Sequence, residues 1–539
     1  MPHDEPQPAA PSGFAFYRKL VLLLTVSVSL AWAGRFVGLD PHQQVAAGVF
    51  LAAILGTLLF WNLRLSIAFL GVSVLILTRS LTVEQYVESA ELPLILFLVG
   101  MMIILGCLED LGFFTWVVQS LLSIPRLTGR RFLAVLSLAA ALLACVVDEV
   151  TSIVIIGTLI FQVCHRLKLN PAPFVIAAVL ATNIGSSGTM IGNPVGILIG
   201  SKAGFTFGDF LIWAFPIMLI CLAANILLSF VVFRHTLRRF DEAIRLTEGV
   251  GPRVAVPFGR SALVLGTALL CIALHHQGET RFGLERNALL YMAPLFCAAL
   301  VMLYRRDRAR HYVEHAVDWW TLLFFLMFFT IAGALKHSGI APLLAHRFTG
   351  TARANYNSLI ALVTTLSGLG SAFVDNVVFV AAFAPIIEGF RLAGLAVSPL
   401  WWALLFGACY GGNITLIGST ANIVALGMLE KQARAHIRFW EWLRVGLLSA
   451  LVSGVIAAAA LMLVRNRMPE PLAASLDSLP DAHAVLPLPR PRVSDAPAPP
   501  PAVAFSFDAA WRSPGEGPAM GGGLNDRPYL VHPNPRITP

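Results

Sequence analysis

Charged residues are scarce in this sequence. Aspartate, glutamate, lysine and arginine together make up 13% of its 539 residues, and 57% of the residues are hydrophobic. Soluble domains carry about 25% charged and about 45–50% apolar residues, so an ordinary soluble fold is excluded. Many segments approach the roughly 20 apolar residues that cross a bilayer as a helix. The composition therefore predicts an all-α polytopic membrane protein.

Patterns for common enzymatic chemistries are also missing. The seven cysteines lie singly in apolar stretches without a C-x-x-C or metal-ligand spacing, which argues against a zinc module or a disulfide framework. The sequence contains no H-E-x-x-H pattern and no G-x-x-x-x-G-K-[ST] phosphate loop, and a transport ATPase needs that loop. We expect neither an enzyme nor a protein with a cofactor or a structural metal.

The net charge of +8 does not indicate a nucleic-acid partner, because the arginines lie in short loops between apolar segments. This placement follows the positive-inside rule of membrane proteins. Tryptophan pairs at 319–320 and 401–402 fit aromatic belts at the membrane surface. About eleven apolar segments are candidate spans: 20–34, 44–61, 65–79, 93–109, 172–198, 209–233, 261–277, 287–304, 319–335, 400–427 and 442–464.

Two further apolar regions, 131–164 and 357–390, are too long for one helix and carry acidic residues at their midpoints. Basic residues at 126–131 and 165–168 flank the first region, so both of its ends favour the cytoplasmic side. We predict a re-entrant hairpin with its tip near residue 148. Counting the spans onward, the second hairpin opens from the opposite face of the membrane.

Two glycine-rich polar segments resemble each other. The segment "GSSGTMIGNPVGILI" (185–199) aligns with "GGNITLIGSTANIVA" (411–425), 226 residues later. The hairpin tips "CVVDEVTSI" (145–153) and "AFVDNVVFV" (372–380) repeat with an offset of 227. Each half of the chain is thus predicted to contain a hairpin with an acidic tip followed by a broken helix. Interrupted apolar segments at corresponding positions of two inverted halves are typical of secondary transporters.

The predicted domain organisation has one transmembrane domain, 20–464, with inverted repeats at roughly 93–233 and 319–464. A short cytoplasmic segment, 1–19, precedes this domain. The proline- and glycine-rich tail, 465–539, shows no hydrophobic periodicity and is predicted to be disordered.

The first apolar segment has two interpretations. Arg18 and Lys19 precede an apolar run that ends in Ala31-Trp32-Ala33, as in a cleaved signal peptide. The many later spans favour an uncleaved first helix instead. With about eleven spans, the N-terminus is then cytoplasmic and the tail extracytoplasmic, in the cell (inner) membrane.

The broken helices are the predicted binding site. Unwound helix ends expose N–H and carbonyl groups, and Asn, Ser and Thr supply neutral ligands. Close helix packing by small residues is the alternative, but two matched segments favour a site. The predicted ion- or substrate-binding residues are Asp148, Glu149, Thr151, Asn183, Ser186, Ser187, Thr189, Asn193, Asp375, Asn376, Asn413, Thr415, Ser419, Thr420 and Asn422. The predicted helix-break residues are Gly185, Gly188, Gly192, Pro194, Gly411, Gly412 and Gly418.

The acidic residues at the hairpin tips narrow this prediction. Asp148, Glu149 and Asp375 would each cost roughly 2.5–3.5 kcal/mol as bare charges at the bilayer centre. No Lys or Arg lies within the core of either hairpin, so we expect a proton or a bound cation to balance them. Repulsion between the adjacent Asp148 and Glu149 favours protonation of one of them, and such a pair could exchange a proton for a metal ion. Tips that simply reach headgroup water are the alternative.

At these residues the chain resembles the ion transporter superfamily, which includes arsenite permeases, NhaD-type sodium/proton antiporters and citrate-transporter-like permeases. The doubled pattern of a hairpin tip followed by G-x-x-x-T-x-I-G carries the resemblance, which extends over roughly 20–464. The tip Asp375-Asn376 matches the Asp-Asn tip of the antiporter and arsenite branches.

The sequence also departs from these relatives. The first tip, Asp148-Glu149, has an acid where the Asp-Asn tip has asparagine. The Ser-Asn-Thr tip of the citrate and dicarboxylate branch is absent from both hairpins. The family segment G-D-P-P-N appears as "GNPVG" at 192–196. The resemblance implies a homodimer in which a scaffold, containing 20–79 and 209–304, supports a moving transport domain.

The leading hypothesis is ion-coupled secondary active transport by alternating access at a midplane site. We expect cation/proton exchange of the Na⁺/H⁺ antiport type, with Na⁺ or H⁺ as the coupling ion. The alternative is a permease for an arsenite-, citrate- or dicarboxylate-like anion, which would use half-helix N-termini and the hydroxyls of Thr189, Ser419 and Thr420. A channel and an intramembrane enzyme are remote alternatives. The expected partners are a small ion or solute, membrane lipid and a second copy of the chain, without nucleic acid.

Overall fold

The computed structural model describes residues 13–122, 128–245, 258–340, 343, 355–433 and 436–469, and every regular element in these ranges is helical. The helices are α1 Gly13–Ala33, α2 Pro41–Leu59, α3 Arg64–Leu77, α4 Val83–Ser89, α5 Leu92–Asp110, α6 Phe113–Leu122, α7 Gly129–Val146, α8 Glu149–Leu167, α9 Ala172–Gly185, α10 Pro194–Ala203, α11 Phe207–Asp209, α12 Phe215–Val232, α13 Arg234–Arg245, α14 Gly259–Ala273, α15 His275–Phe282, α16 Ala288–Tyr304, α17 Ala309–His311, α18 Trp319–His337, α19 Tyr356–Ser371, α20 Asn376–Leu392, α21 Ser398–Gly411, α22 Thr420–Ala433 and α23 Phe439–Val464.

The helices confirm the predicted polytopic all-α class. Within the described ranges, eight helical segments of at least 18 residues are apolar enough to cross a membrane, and the bent pair α14–α15 makes nine. The number of about eleven spans stays a prediction, because four of the predicted spans correspond to helices shorter than 18 residues, namely α3, α9, α16 and α21. Both arms of the first hairpin, α7 and α8, are among the eight. Entry and exit of that hairpin by one face stay a prediction.

The hairpin tips lie where the sequence predicts them. Helices α7 and α8 are separated by Val147 and Asp148, and α19 and α20 by residues 372–375. The Asp148 carboxylate accepts a hydrogen bond from Thr151 N at 2.8 Å, and that of Asp375 accepts one from Val377 N at 3.0 Å. Each acid therefore caps the second arm, where it satisfies a free N–H group and faces the positive end of the helix dipole.

The two broken helices are also confirmed in position. Residues 186–193 separate α9 from α10, and residues 412–419 separate α21 from α22. Asn193 caps α10 by accepting a hydrogen bond from Gly196 N at 2.9 Å, and Pro194 follows at the first helical position, where its missing N–H is not needed. Each helix before a break packs along the first arm of its own hairpin, α9 against α7 and α21 against α19.

One aromatic prediction is wrong. Trp319 and Trp320 are 43% and 46% exposed, as a membrane-surface belt requires, whereas Trp401 and Trp402 are 2% and 1% exposed. The Trp402 ring stacks on Phe205, with centroids 4.4 Å apart. The second pair therefore packs inside the protein, where α21 meets the chain that follows α10.

At both chain ends, helical structure extends beyond the predicted transmembrane domain 20–464, and the domain boundaries stay a prediction. Helix α1 begins at Gly13, inside the predicted cytoplasmic segment 1–19, and residues 1–12 lie outside the described residues. At the other end, a 3₁₀ turn, Arg465–Arg467, follows α23. The rest of the predicted disordered tail, from residue 470 onward, also lies outside the described residues.

Gly411 gives a test of the close packing at the second broken helix. A Cβ atom at this position would overlap the backbone of Gly368 in α19. We expect Gly411→Ala to lower the free energy of unfolding by about 1–3 kcal/mol, as overpacking does. Gly427→Ala is the matched control, because a Cβ at this position in α22 would meet no atom within 4 Å and alanine favours a helix. The measurement is fluorescence-monitored thermal unfolding in detergent. Equal melting temperatures of the two variants would contradict this packing.

Candidate functional site

Equivalent hydrogen bonds join each broken helix to the tip of its own hairpin. The hydroxyl of Thr189 donates to the carbonyl oxygen of Cys145, and the hydroxyl of Thr415 donates to the carbonyl oxygen of Ala372. These four residues are the pairs that the sequence alignment of the two halves matches, with offsets of 226 and 227. The sequence repeat is therefore also a structural repeat.

A buried amide cluster connects the two broken helices. Asn183 in α9 donates through Nδ2 to Oδ1 of Asn413, at 2.8 Å, and of Asn422, at 2.9 Å. Its own Oδ1 accepts a hydrogen bond from the Ser419 hydroxyl at 3.1 Å. Asn422 in turn donates to the carbonyl oxygen of Gly412 at 2.7 Å. These side chains are buried, so the cluster satisfies polar groups that would otherwise be costly in the apolar interior.

A second set of polar contacts surrounds the break between α9 and α10. Asn193 donates through Nδ2 to the Ser186 hydroxyl at 2.8 Å and to Sγ of Cys409 at 3.2 Å. The Ser187 hydroxyl donates to the Tyr410 hydroxyl oxygen at 3.2 Å. Sequence reasoning did not select Cys409 or Tyr410. For Cys409 the sequence did contain a signal, because the repeat offset of 226 residues aligns it with the predicted site residue Asn183.

Glu149 lies where the two hairpin tips meet. It is 5% exposed, and its carboxylate accepts hydrogen bonds from Nδ2 of Asn376 at 3.4 Å and from the hydroxyl of Ser419 at 3.3 Å. Glu149 and Asn376 are equivalent positions of the two halves, so the repeats touch through matched residues. Both bonds exceed the usual lengths of about 2.7–3.2 Å. They therefore hold this carboxylate less firmly than the caps hold its neighbours.

The other two tip acids are more tightly bound. Asp148 is half-buried, and its second carboxylate oxygen accepts a hydrogen bond from the Thr151 hydroxyl at 2.6 Å. Asp375 is 3% exposed, and its second oxygen accepts one from the Thr420 hydroxyl at 2.8 Å. Among the described residues, none of the three tip acids has a Lys, Arg or His nitrogen within 4.0 Å.

These acids line a cavity of about 400 Å³. Its wall also contains Glu109 at the end of α5, together with His315 and Asp318 just before α18. On the opposite side of the site, a much smaller cavity of about 60 Å³ is lined by residues that include Glu91 and Lys202. Those two side chains form an ion pair. The two cavities therefore lie at opposite ends of α5, the large one at Glu109 and the small one at Glu91.

The predicted site residues fall into two groups. Those that line the large cavity are Asp148, Glu149, Thr151, Asn193, Pro194, Asp375, Asn376 and Thr420. Those that lie behind it, bonded to one another or to the backbone, are Asn183, Ser186, Ser187, Thr189, Asn413, Thr415, Ser419 and Asn422. The second group supports the cavity wall and does not form it.

Sequence reasoning missed the charged residues Glu109, Asp318 and Arg64 near this cavity. Arg64, the first residue of α3, is 5% exposed and donates through Nη2 to the hydroxyl of Thr321 at 3.1 Å. Thr321 lines the cavity. Arg64 stands between two apolar runs, where the sequence indicates a short cytoplasmic loop, so no local signal marked it as buried.

Buried carboxylates around a cavity between two repeats of a helical membrane protein are typical of membrane transporters, and comparison with known proteins agrees. The family model described as "Citrate transporter" (CitMHS) matches residues 49–407. The chain therefore belongs to the citrate transporter family and is a multi-pass transporter of a small solute, not an enzyme.

Relatives support this assignment, and a solved structure supports the fold. The chain is 32% identical to an uncharacterized transporter of Mycobacterium bovis over 379 residues, which are 68% of this chain and 85% of that protein. It is also 32% identical to a 46 kDa membrane protein of Mycobacterium leprae, with the same coverage. The crystal structure of the Alcanivorax borkumensis YdaH transporter matches the fold with a TM-score of 0.51 at 15% identity, over 71% of this chain and 87% of that one. The resemblance stated from the sequence is thus confirmed.

Asn183 provides a test of the amide cluster. Asn183→Asp removes the Nδ2 donor to two amide oxygens and adds a carboxylate to a buried site. We expect a loss of about 1–3 kcal/mol in the free energy of unfolding, since buried acceptors lose their partner. The matched control is Asn170→Asp, because the side-chain oxygen of the exposed Asn170 accepts a hydrogen bond from Ala172 N, and an aspartate oxygen can accept the same bond. Equal thermal stability of the two variants in detergent would show that the cluster does not join the broken helices.

Proposed function

We propose that this transporter couples solute movement to an ion by exchanging a cation, with Na⁺ as the first candidate, for protons at its central cavity. The observation that carries the proposal is the set of Asp148, Glu149 and Asp375 on one cavity wall, without a cationic side chain within 4.0 Å among the described residues. Charges in such surroundings must be neutralised by protons or by a bound cation.

The hydrogen bonds of the three acids support different roles for them. In Asp148 and Asp375, one carboxylate oxygen caps a helix by accepting a hydrogen bond from a backbone N–H, and the other accepts a hydrogen bond from a threonine hydroxyl. Glu149 has only two long hydrogen bonds. Its carboxylate can therefore change partners at the lowest cost, and we assign it the exchange of a proton for a cation. Neutral oxygens near it, such as that of Asn376, complete a cation's ligand set.

The two cavities support alternating access. We propose that the large cavity, whose wall contains Glu109 and His315, is the open side of the site, and that the ion pair between Lys202 and Glu91 closes the other side. In the predicted topology the open face is cytoplasmic, the protein lies in the inner membrane and the C-terminal tail is extracytoplasmic. Breaking the Lys202–Glu91 contact would then be required to reach the outward-open state.

The second candidate is a permease for a carboxylate-bearing anion. The family's description and a volume of about 400 Å³, far larger than a bare ion needs, favour it. A cation held by the tip acids could bridge them to such an anion. The absence of the Ser-Asn-Thr tip from both hairpins argues against a site like that of the citrate and dicarboxylate branch. The homodimer with a fixed scaffold and a moving transport domain also remains a proposal from that resemblance.

Cation/proton exchange can be measured in liposomes that contain the protein, a proton gradient and a dye for internal pH. Adding Na⁺, Li⁺ or K⁺ to wild type should dissipate the gradient. Glu149→Gln, Asp148→Asn and Asp375→Asn should each slow this response by roughly tenfold or more, the effect of about 1.4 kcal/mol in site affinity. Asp40→Asn is the matched control, because this exposed residue caps α2 and asparagine caps equally well.

Two outcomes would redirect the proposal. An unresponsive wild type would favour the anion permease, and labelled citrate and arsenite uptake would then decide. Unchanged exchange in all three acid variants would contradict the assignment of the hairpin tips.

The closed face generates a separate prediction. Lys202→Glu places a like charge beside Glu91 and should reduce transport several-fold, because this closed state loses its ion pair. Combining it with Glu91→Lys should restore part of the rate, which a double-mutant cycle would detect. Additive losses in the double variant would show that the pair does not act as a gate.

A further inference from the structure

We propose that a cavity at the start of α23 binds one anionic phospholipid of the surrounding membrane, with the lipid phosphate held by Arg438 and Arg444. The cavity has a volume of about 650 Å³, and its wall includes both arginines. It shares no lining residue with the central cavity. The inference therefore does not depend on the proposed cation/proton exchange.

The position of this cavity at the membrane surface is the first step of the argument. Its wall is formed where α12 ends, at Val232 and Phe233, and where α23 begins. Both helices belong to segments that are long and apolar enough to cross a membrane, so their ends meet at the level of the lipid headgroups. Trp440, also in the wall, is 67% exposed. An exposed tryptophan at the end of a spanning helix is typical of the membrane–water interface.

The charge of the wall is the second step. Arg438 and Arg444 line the cavity together with a single carboxylate, that of Glu441. Within the described ranges, neither arginine has a carboxylate oxygen within 4.0 Å. Helix α23 also begins here without a side-chain cap, which leaves N–H groups of its first turn for an anion. Guanidinium groups bind phosphate oxygens through paired N–H donors, so the wall matches a phosphate group.

The neighbouring helix α13 adds to this positive charge. Its apolar residues Leu237 and Phe240 are buried, and the Phe240 ring stacks on Phe132 of α7 with centroids 4.8 Å apart. This packing turns the arginines of the helix outward, and the exposed ones are Arg234, Arg238, Arg239 and Arg245. A cluster of arginines directly beyond a membrane-spanning helix attracts anionic lipids.

The apolar part of the wall favours a lipid over a soluble phosphate. Val232 of α12 and Val445 of α23 line the same cavity as the two arginines. Since both helices continue from here into the membrane, the acyl chains of a lipid bound by its phosphate would lie along them and cover this apolar surface. A soluble phosphate would leave it uncovered.

A lipid at this position would support the second broken helix. Trp442, the residue after Glu441, is fully buried and donates through Nε1 to the carbonyl oxygen of Asn413 at 3.0 Å. One turn further along α23, a Cβ atom at Gly446 would overlap the same carbonyl oxygen. The start of α23 therefore packs directly on the break at 412–419, and a ligand that orders this start also orders the break.

Thermal unfolding of the purified full-length chain in detergent tests the site without measuring transport. Phosphatidylglycerol should raise the melting temperature by roughly 2–5 °C more than the same amount of phosphatidylcholine, because a ligand that binds only the folded protein stabilises it. Arg438→Gln/Arg444→Gln should lose most of this difference. Arg306→Gln is the matched control and should keep it, because this exposed arginine follows the apolar helix α16 and lies outside the cavity.

Three results would overturn the inference. The first is equal stabilisation by the two lipids, and the second is an undiminished effect of phosphatidylglycerol in the double variant. The third is an effect of inorganic phosphate as large as that of phosphatidylglycerol, because the ligand would then be a soluble anion.

A second variant keeps the test decisive if the double variant does not fold. Glu441→Gln removes the one carboxylate of the cavity wall, from an exposed position. It should lower the phosphatidylglycerol concentration for half-maximal stabilisation several-fold, because the phosphate no longer faces a like charge. An unchanged or higher concentration would contradict a phosphate position between the two arginines.

Discussion

The rest of the structure depends on the need to neutralise carboxylates inside an apolar protein interior. Glu149 and Asp375 are almost fully buried and, within the described residues, have no ion pair. A protein that only needed stability would replace them, because unpaired buried charge is among the most expensive features of a fold. The helix caps, threonine hydroxyls and amide cluster around them lower that cost without removing the charge. The proposed function assigns the remaining neutralisation of this site to a proton or a cation.

The repeat explains how such a site is assembled. Each half supplies a hairpin tip and a broken helix, joined by the same threonine-to-carbonyl hydrogen bond. The two tips then meet through Glu149 and Asn376, which occupy matched positions but differ in charge. A symmetric pair of amides would bind no proton, and a symmetric pair of acids would repel. One acid opposite one amide gives a titratable group with a neutral donor beside it, which suits a group that alternates between a proton and a cation.

Local features of the sequence predicted the elements of the site well. Glycine, asparagine and proline in the middle of apolar runs, and acids at the midpoint of long ones, mark helix breaks that the structure contains at 147–148, 186–193, 372–375 and 412–419. Long-range packing was not predictable. Trp401, Trp402 and Arg64 are buried although their sequence context suggests a membrane surface, because lipid and protein interior are similarly apolar and leave no periodic signal. The division between residues that line the cavity and residues behind it depends on the same packing.

Proton release on cation binding tests the central claim most directly. The purified protein in weakly buffered detergent solution, near the pH at which the cavity is protonated, is titrated with Na⁺ while a pH electrode counts the protons that appear. Competition for one carboxyl site predicts close to one proton released per bound cation, lost in Glu149→Gln and retained in Asp40→Asn. Cation binding without proton release, or release that survives Glu149→Gln, would contradict the account, because the carboxylates would then not be the place where proton and cation exchange.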